Sequence, residues 1–418
     1  MITSLKFNNC FAFNNSIEMN LRADMRTKKF TSNVININEK LNVLKSAVVY
    51  GPNNTGKTSF IECVNALKDT LENKKISLDY NIFNENNYIC EETVSFINSN
   101  TEYLYEFKYN CKNKEYVYEK MSELNRDSYN NETENIYFIK DTINEKYECK
   151  KDEKLEEMLN ITSNTNILMY TLQVEKFDLL QNIKNILLEL AKSIEIVNMN
   201  DIPNEKTIEI LKHKDKNAKK VAEFVKNADV YLENYYYEDS IGKDLELKEN
   251  DSKLMDKKNF LDQIRVISVY KGKAVPSILF DSIGTKKIAA LASYIITAIE
   301  EGKTLIVDEL DSSLHFKITR AIISMFNNEI NTNAQLIATL HDISLLDCKK
   351  LFRKEQIWFT NKDEEGTELY SLKEFSYAEN GVRDTSDIKE KYSKGEFGAI
   401  PEPDLISTLL EVDVIEEN

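Results

Sequence analysis

The chain has 418 residues, 42% of them hydrophobic and 30% charged, with a formal net charge of −16. That length accommodates two or three domains with real cores, and the hydrophobic content excludes a disordered protein. No apolar run approaches the roughly 20 residues that a bilayer span requires, and the acidic balance opposes non-specific binding to nucleic acid unless a local basic groove forms.

The N-terminus, Met1-Ile2-Thr3-Ser4-Leu5-Lys6-Phe7, reads as a strand and lacks the long apolar core of a signal peptide, so a cytoplasmic protein is expected. The six cysteines (Cys10, Cys63, Cys90, Cys111, Cys149, Cys348) are scattered without a CxxC pair. They read as reduced thiols rather than a disulfide or zinc framework. Residues 1–50 are strand-like: Ser4–Phe7 and Ser16–Leu21 alternate apolar and polar, with asparagine turns between them.

The apolar run Ala47-Val48-Val49-Tyr50 leads into Gly51-Pro52-Asn53-Asn54-Thr55-Gly56-Lys57-Thr58-Ser59, and a helical pattern follows over 60–74. Strand, glycine-bounded loop and helix are the setting of a phosphate-binding loop. Gly51 and Gly56 let the backbone curl with its N–H groups inward, and the helix adds its N-terminal dipole. Asn53, Asn54, Thr55 and Ser59 complete the loop. Lys57 is placed to reach the β- and γ-phosphates, and Thr58 to ligate Mg²⁺.

Over 76–151 the texture becomes short aromatic-rich runs separated by Asn and Lys turns, an antiparallel meander. Over 156–229 it is helical, with no heptad repeat sustained long enough for a coiled-coil arm. Residues 233–258 are strongly charged and loop-like. From 264 onward strands at 265–270, 303–307 and 334–339 alternate with helices at 288–300 and 316–327, the rhythm of a parallel sheet with crossover helices.

Leu305-Ile306-Val307-Asp308-Glu309 is an apolar strand ending in two acids. Asp308 is suited to the Mg²⁺ shell and Glu309 to accepting a proton from attacking water. His341, one of three histidines, ends the next strand, where a γ-phosphate sensor would sit. His315 is left open between a structural and a functional role. His213 lies in a solvated charge run. Ser282-Ile283-Gly284-Thr285 opens the helix before the acidic strand, and a small hydroxyl, a glycine and a helix start make a second anion site.

The order phosphate loop, long insertion, Ser-x-Gly helix start, Asp308-Glu309, an Asp311-containing loop and His341 resembles the ABC-type ATPase heads of chromosome-maintenance (SMC), RecF-like and OLD-like proteins. The resemblance implies that Ser282 and Gly284 of one subunit contact the γ-phosphate held by another. It further implies that Asp311 lies in the loop crossing the dimer interface and that His341 is the switch histidine. Only one glycine of the usual signature pair is present. The segments 353–359, 366–372 and 392–401 make the chain similar to stand-alone ATPases of abortive-infection systems, of the AbiL/RloA kind or that of the PARIS system.

The fold implied is α/β: an ABC-type phosphate-loop head with a mixed or parallel sheet and flanking helices, plus an antiparallel β lobe and a helical insertion. The expected segments are 1–75 (head with the phosphate loop), 76–155 (β lobe), 156–262 (helical insertion), 263–360 (head with the signature, the acidic strand and His341) and 361–418 (tail). The catalytic set is Lys57, Glu309 and His341, with ATP and Mg²⁺ as ligands. The resemblance implies a homodimer or higher homo-oligomer. It also implies a separately encoded effector such as a nuclease or toxin, and a sensor or regulator role in anti-phage defence. A RecF-like DNA-repair clamp and an ATP-dependent scaffold sequestering a partner are the alternatives. No nuclease is expected within the chain, and Trp358 reads as core packing.

Overall fold

The computed structural model describes residues 1–401 apart from 85, 127–131, 150–151, 172–173, 229–230, 243–253, 364–365, 376–381 and 384–385. The expected tail beyond 401 and much of the charged stretch therefore lie outside the described residues. The N-terminal part runs β1 (Ile2–Asn8), β2 (Ile17–Asn20), β3 (Val34–Asn38), β4 (Leu41–Leu44), β5 (Ser46–Tyr50) and α1 (Lys57–Leu71). The meander is β6 (Ile89–Asn98), β7 (Thr101–Asn110), β8 (Glu115–Arg126), β9 (Glu132–Asp141) and β10 (Lys146–Glu148). These five strands and β1–β2 form one antiparallel sheet in the order β10-β9-β8-β7-β6-β1-β2. Its inner face follows the period of two: Tyr105, Phe107 and Tyr109 of β7 point inward, and their neighbours lie towards solvent.

Next come α2 (Glu153–Leu159), α3 (Leu168–Thr171), α4 (Asp178–Ser193), β11 (Ile194–Asn198), α5 (Glu205–His213) and α6 (Lys216–Ala228). Then β12 (Asn234–Tyr237), α7 (Leu254–Ile264), β13 (Val266–Tyr270), β14 (Lys273–Pro276), α8 (Ser277–Phe280) and α9 (Ile283–Glu301) follow. The chain continues with β15 (Thr304–Asp308), α10 (Phe316–Phe326), β16 (Gln335–Thr339), β17 (Ile357–Lys362), β18 (Thr367–Ser371) and α11 (Ile388–Ser393). The central sheet is β11-β15-β16-β5-β17-β18, parallel except for the edge strand β18.

Strands β5, β15 and β16 are buried along their whole length, which explains their unbroken apolar runs. Alternate residues serve two cores. Ala47 and Val49 pack with Phe60, Cys63 and Val64 of α1 and with the seven-stranded sheet. Val48 and Tyr50 pack on the other side, with Leu291 and Ile295 of α9 and Ile322 and Phe326 of α10. The phosphate-loop strand thus has a layer on each face.

The main difference from the sequence reading is β11, which falls inside a stretch with helical texture. Its Ile194-Glu195-Ile196-Val197 run is β-branched and pairs in parallel with β15, register Ile194↔Thr304 to Asn198↔Asp308. Partner and burial override the local period there. The helix start read at Ser282-Ile283-Gly284-Thr285 is where α9 begins, because Ser282 Oγ accepts the Thr285 N–H and caps it, five residues ahead of the 288–300 apolar pattern. The segment ending at 401 closes the fold. Tyr392 donates its hydroxyl to Ala399 O at 2.5 Å and stacks on Phe359, while Tyr370 donates to Phe397 O at 2.6 Å. Trp358 is core, as expected.

One buried carboxyl gives the β lobe a pH dependence. Glu119 accepts the Tyr105 hydroxyl at 2.9 Å and the Leu168 N–H at 2.7 Å. Burial raises its pKa from 4.5 to about 7. A folded value above the unfolded one means stability that is full below pH 4.5 and lost as pH rises through 7. Gln reproduces the neutral acid: one oxygen for Leu168, one N–H for Tyr105. Glu119→Gln should therefore be about as stable as wild type at pH 5 and more stable by about 2–3 kcal/mol at pH 8.5. Paired denaturant titrations at the two pH values check this, and a gap that shrinks with rising pH would refute it.

Candidate functional site

The phosphate loop is shaped by a strand from the far end of the chain. A Cβ on Gly51 would lie 2.3 Å from Thr360 Oγ1 and 2.5 Å from Thr360 O, so only glycine fits against β17. Thr360 Oγ1 also sits 2.8 Å from Thr55 Oγ1, and Thr55 donates to Pro52 O. Gly56, at φ +89°, turns the chain into α1 with the left-handed geometry that glycine tolerates. Lys57 lies folded over this loop, its ammonium donating to Gly51 O and Pro52 O, each at 2.7 Å. Burial lowers the Lys57 pKa, against the opposing pull of Asp308, Glu309 and Asp311. Two neutral carbonyls leave that buried charge uncompensated, which suits the loop to an anion.

Thr58 brings the two halves together. Its hydroxyl donates to Asp308 Oδ2 at 3.1 Å, and Asn198 Nδ2 donates to the same oxygen at 3.1 Å. Asp308 Oδ1 accepts the Thr339 hydroxyl at 2.7 Å. Thr339 Oγ1 in turn accepts the Glu309 N–H at 2.7 Å, so one hydroxyl fixes both acids. Hydroxyl beside buried carboxylate is the donor set for a hard divalent cation such as Mg²⁺.

Glu309 has φ +54°, a left-handed backbone that costs a non-glycine residue about 1 kcal/mol. The Thr339 hydroxyl and the Leu310 N–H donated to Thr339 O hold it there. The turn aims the Glu309 side chain out of the strand. Oε2 accepts Asn200 Nδ2 at 2.7 Å, and Oε1 lies 3.7 Å from His341 Nε2. Both side chains remain partly open to solvent.

Asp311 fastens the loop after β15 to the loop after β16. Its Oδ2 accepts the His341 N–H at 2.7 Å and the Asp342 N–H at 2.5 Å, while Oδ1 is buried without a hydrogen-bond partner among the described residues. Gly284 passes close to this loop: a Cβ there would be 3.1 Å from Ser313 O. Lys287 donates to the hydroxyls of Ser312 and Ser313. Ser282 caps α9 and is exposed, flanked by exposed Leu279, Phe280 and Ile283. Among the described residues no hydrogen bond within the chain joins Ser282 or Gly284 to Lys57, Thr58 or Asp308.

Hydrogen bonds and close contacts thus gather Gly51, Thr55, Gly56, Lys57, Thr58, Asp308, Glu309, Asp311 and His341 at the ends of β5, β15 and β16. Asn53 and Asn54 sit on the same loop, Asn54 at φ +63°, and Ser59 lies in the first turn of α1. His315 is elsewhere: its Nδ1 accepts the Lys317 N–H and caps α10. His213 ends α5, exposed. Sequence reasoning missed Asn198, Asn200, Thr339 and Thr360. Thr339 had a signal, a hydroxyl ending the strand before His341. The two asparagines had none, because β11 itself was not legible.

Residues 46–347 match the family described as "AAA domain, putative AbiEii toxin, Type IV TA system". No curated protein matches the chain. Among solved structures, the SMC head domain from Thermotoga maritima is 10% identical, with TM-score 0.42, over 88% of this chain and 98% of that one. An SMC head bound to the C-terminal winged-helix domain of ScpA is 12% identical, with TM-score 0.45, over 88% and 97%. An SMC head with an extended coiled coil, bound to the C-terminal domain of ScpA from Pyrococcus furiosus, is 10% identical, with TM-score 0.41, over 88% and 96%. Likeness at this level says nothing of activity or partners. The family match covers most of the chain, and the chain belongs to that family of AAA domains. It agrees with the resemblance to abortive-infection ATPases.

Proposed function

We propose that this member of the family binds and hydrolyses Mg-ATP at sites shared between two copies of the chain, and that the ATP-dependent pairing regulates a separate effector. The observation that carries the reading is the arrangement in which Thr58 donates to Asp308 while Glu309 and His341 lie beside each other at the end of the next strands. The loop N–H groups and Lys57 bind the phosphates. Thr58 and Asp308 would hold Mg²⁺, which would supply charge neutralisation at the phosphates. Glu309 accepts the proton of the attacking water. Asn200 and His341 orient that carboxylate from its two oxygens.

The second copy is supported by what this arrangement leaves open. Ser282 and Gly284 make no hydrogen bond to their own phosphate loop, yet Ser282 stands on an exposed face with Leu279, Phe280 and Ile283, three large apolar side chains 63–70% exposed. Such a patch marks an interaction surface. A partner's phosphate-loop face seated there would bring its nucleotide within reach of Ser282 and Gly284. The regulatory role, with a separately encoded nuclease or toxin as effector in a cytoplasmic anti-phage system, is our reading; the family description supports it only so far as it names a putative toxin of a type IV TA system.

The test is the solution mass of Glu309→Gln with and without Mg-ATP, by light scattering after gel filtration. Bound nucleotide with a doubled or larger mass is expected. Bound nucleotide with an unchanged monomer mass would overturn the shared site. An assembly already present without nucleotide would overturn ATP-driven pairing.

A further inference from the structure

Four cysteines that are far apart in sequence meet beneath the phosphate-loop helix, around a carboxylate. Cys10 lies in the turn after β1, and Cys63 is on the inner face of α1. Cys90 and Glu92 are alternate residues of β6, so both point to the same side. Cys10, Cys63, Cys90 and Glu92 are all 0–1% exposed. One ligand atom each from Cys10, Cys63 and Glu92 lie within 4.8 Å of one another. The Cys10 thiol is also within hydrogen-bonding reach of Cys90, whose sulfur is 3.3 Å from that of Cys111.

We infer that Cys10, Cys63, Cys90 and Glu92 form a buried site for one thiophilic divalent cation of the zinc class. Buried thiols alone would not argue this, since cysteine packs as a small hydrophobe. Glu92 does. Both of its carboxyl oxygens are buried and have no hydrogen-bond partner among the described residues. A carboxyl buried in that way requires a proton or a cation, and its close titratable neighbours are the Cys10 and Cys63 sulfurs rather than a lysine or arginine.

Three sulfurs and one carboxylate oxygen are a tetrahedral donor set that suits Zn²⁺ and not Mg²⁺. Zinc–sulfur bonds of about 2.3 Å place ligating sulfurs about 3.8 Å apart, so Cys10, Cys63 and Glu92, whose ligand atoms lie within 4.8 Å of one another, need close by only about an ångström, and Cys90 completes the set by moving in from its contact with Cys10. Loading releases the protons of the three thiols and of Glu92 to solvent. The ion would pin α1 to β6 and to the turn after β1, tying the helix that carries Lys57 and Thr58 to the seven-stranded sheet. Its binding does not depend on ATP hydrolysis.

The test uses the full chain, purified without metal-chelating tags or chelators, with zinc counted by elemental analysis and Co²⁺ as a spectroscopic replacement. The expected results are about one zinc per chain and a cobalt–thiolate charge-transfer band. Cys63→Ser and Glu92→Gln should each lower retained zinc at least about tenfold after equal dialysis, with Cys348→Ser unchanged as the control. Because Cys63→Ser could fail to fold, the cobalt spectrum of the wild-type chain stands as the independent measurement. Folded wild type that takes up neither zinc nor cobalt overturns the site, as does a Cys90–Cys111 disulfide found by mass spectrometry, or zinc that persists in a Cys10/Cys63/Cys90 triple-serine variant.

Discussion

Glu309→Gln is expected to lower the turnover of ATP by about 10²–10⁴-fold while leaving nucleotide affinity within about threefold of wild type. Gln keeps the shape and one oxygen, so the backbone turn at φ +54° and a hydrogen bond with Asn200 survive. What it lacks is a basic oxygen able to take a proton from water. The split between kcat and binding is the informative part. Loss of binding with turnover would place Glu309 among the phosphate ligands. Unchanged turnover would remove it from the chemistry altogether. Since Asn200 and His341 each touch one oxygen of Glu309, their alanine variants should fall between Glu309→Gln and wild type in single-turnover rates.

Gly51→Ala should do more damage than its single methyl suggests. The added carbon would meet the backbone oxygen of Thr360 at 2.5 Å, and a β-strand in the middle of a sheet cannot step aside. We expect a destabilisation of about 3 kcal/mol and nucleotide binding weakened at least about tenfold, because the loop must lift away from β17 to relieve the contact. Gly272→Ala is the control. Gly272 has φ +71°, yet a methyl there would meet nothing within 4 Å, so only the modest backbone cost of about 1 kcal/mol applies and nucleotide binding should be unchanged. Equal effects from the two variants, measured by chemical denaturation and nucleotide titration, would show that the close approach at Thr360 is not what requires glycine.

The parts of the site that were legible in the sequence are those whose chemistry is local. Gly51 to Ser59 carry their own strand, loop and helix signals, and Asp308-Glu309 end a strand too apolar to be anything but buried. Thr360 was not legible, because the contact that requires Gly51 comes from a residue 310 positions away from Tyr50. Asn198 and Asn200 were not legible for a related reason: β11 is a strand only because β15 lies beside it. The left-handed backbone of Glu309 has no residue-type signal, since a glycine or asparagine would ordinarily announce it. In the cysteines, spacing along the chain concealed proximity in space: the turn after β1, helix α1 and strand β6 bring together residues that no short motif links.

The place of β5 between β16 and β17 has a consequence for how the protein is made. The strand that carries the phosphate loop leaves the ribosome well before both of its neighbours, which begin at Gln335 and Ile357. At about 5–20 residues per second, it waits on the order of 15–60 s for them. Throughout that interval a fully apolar strand has no sheet to join, and Gly51 has no Thr360 to lie against. Chains that stop before β17 should accordingly be inert towards ATP and dependent on chaperones, so that the nucleotide pocket becomes competent only once β16 and β17 have been translated.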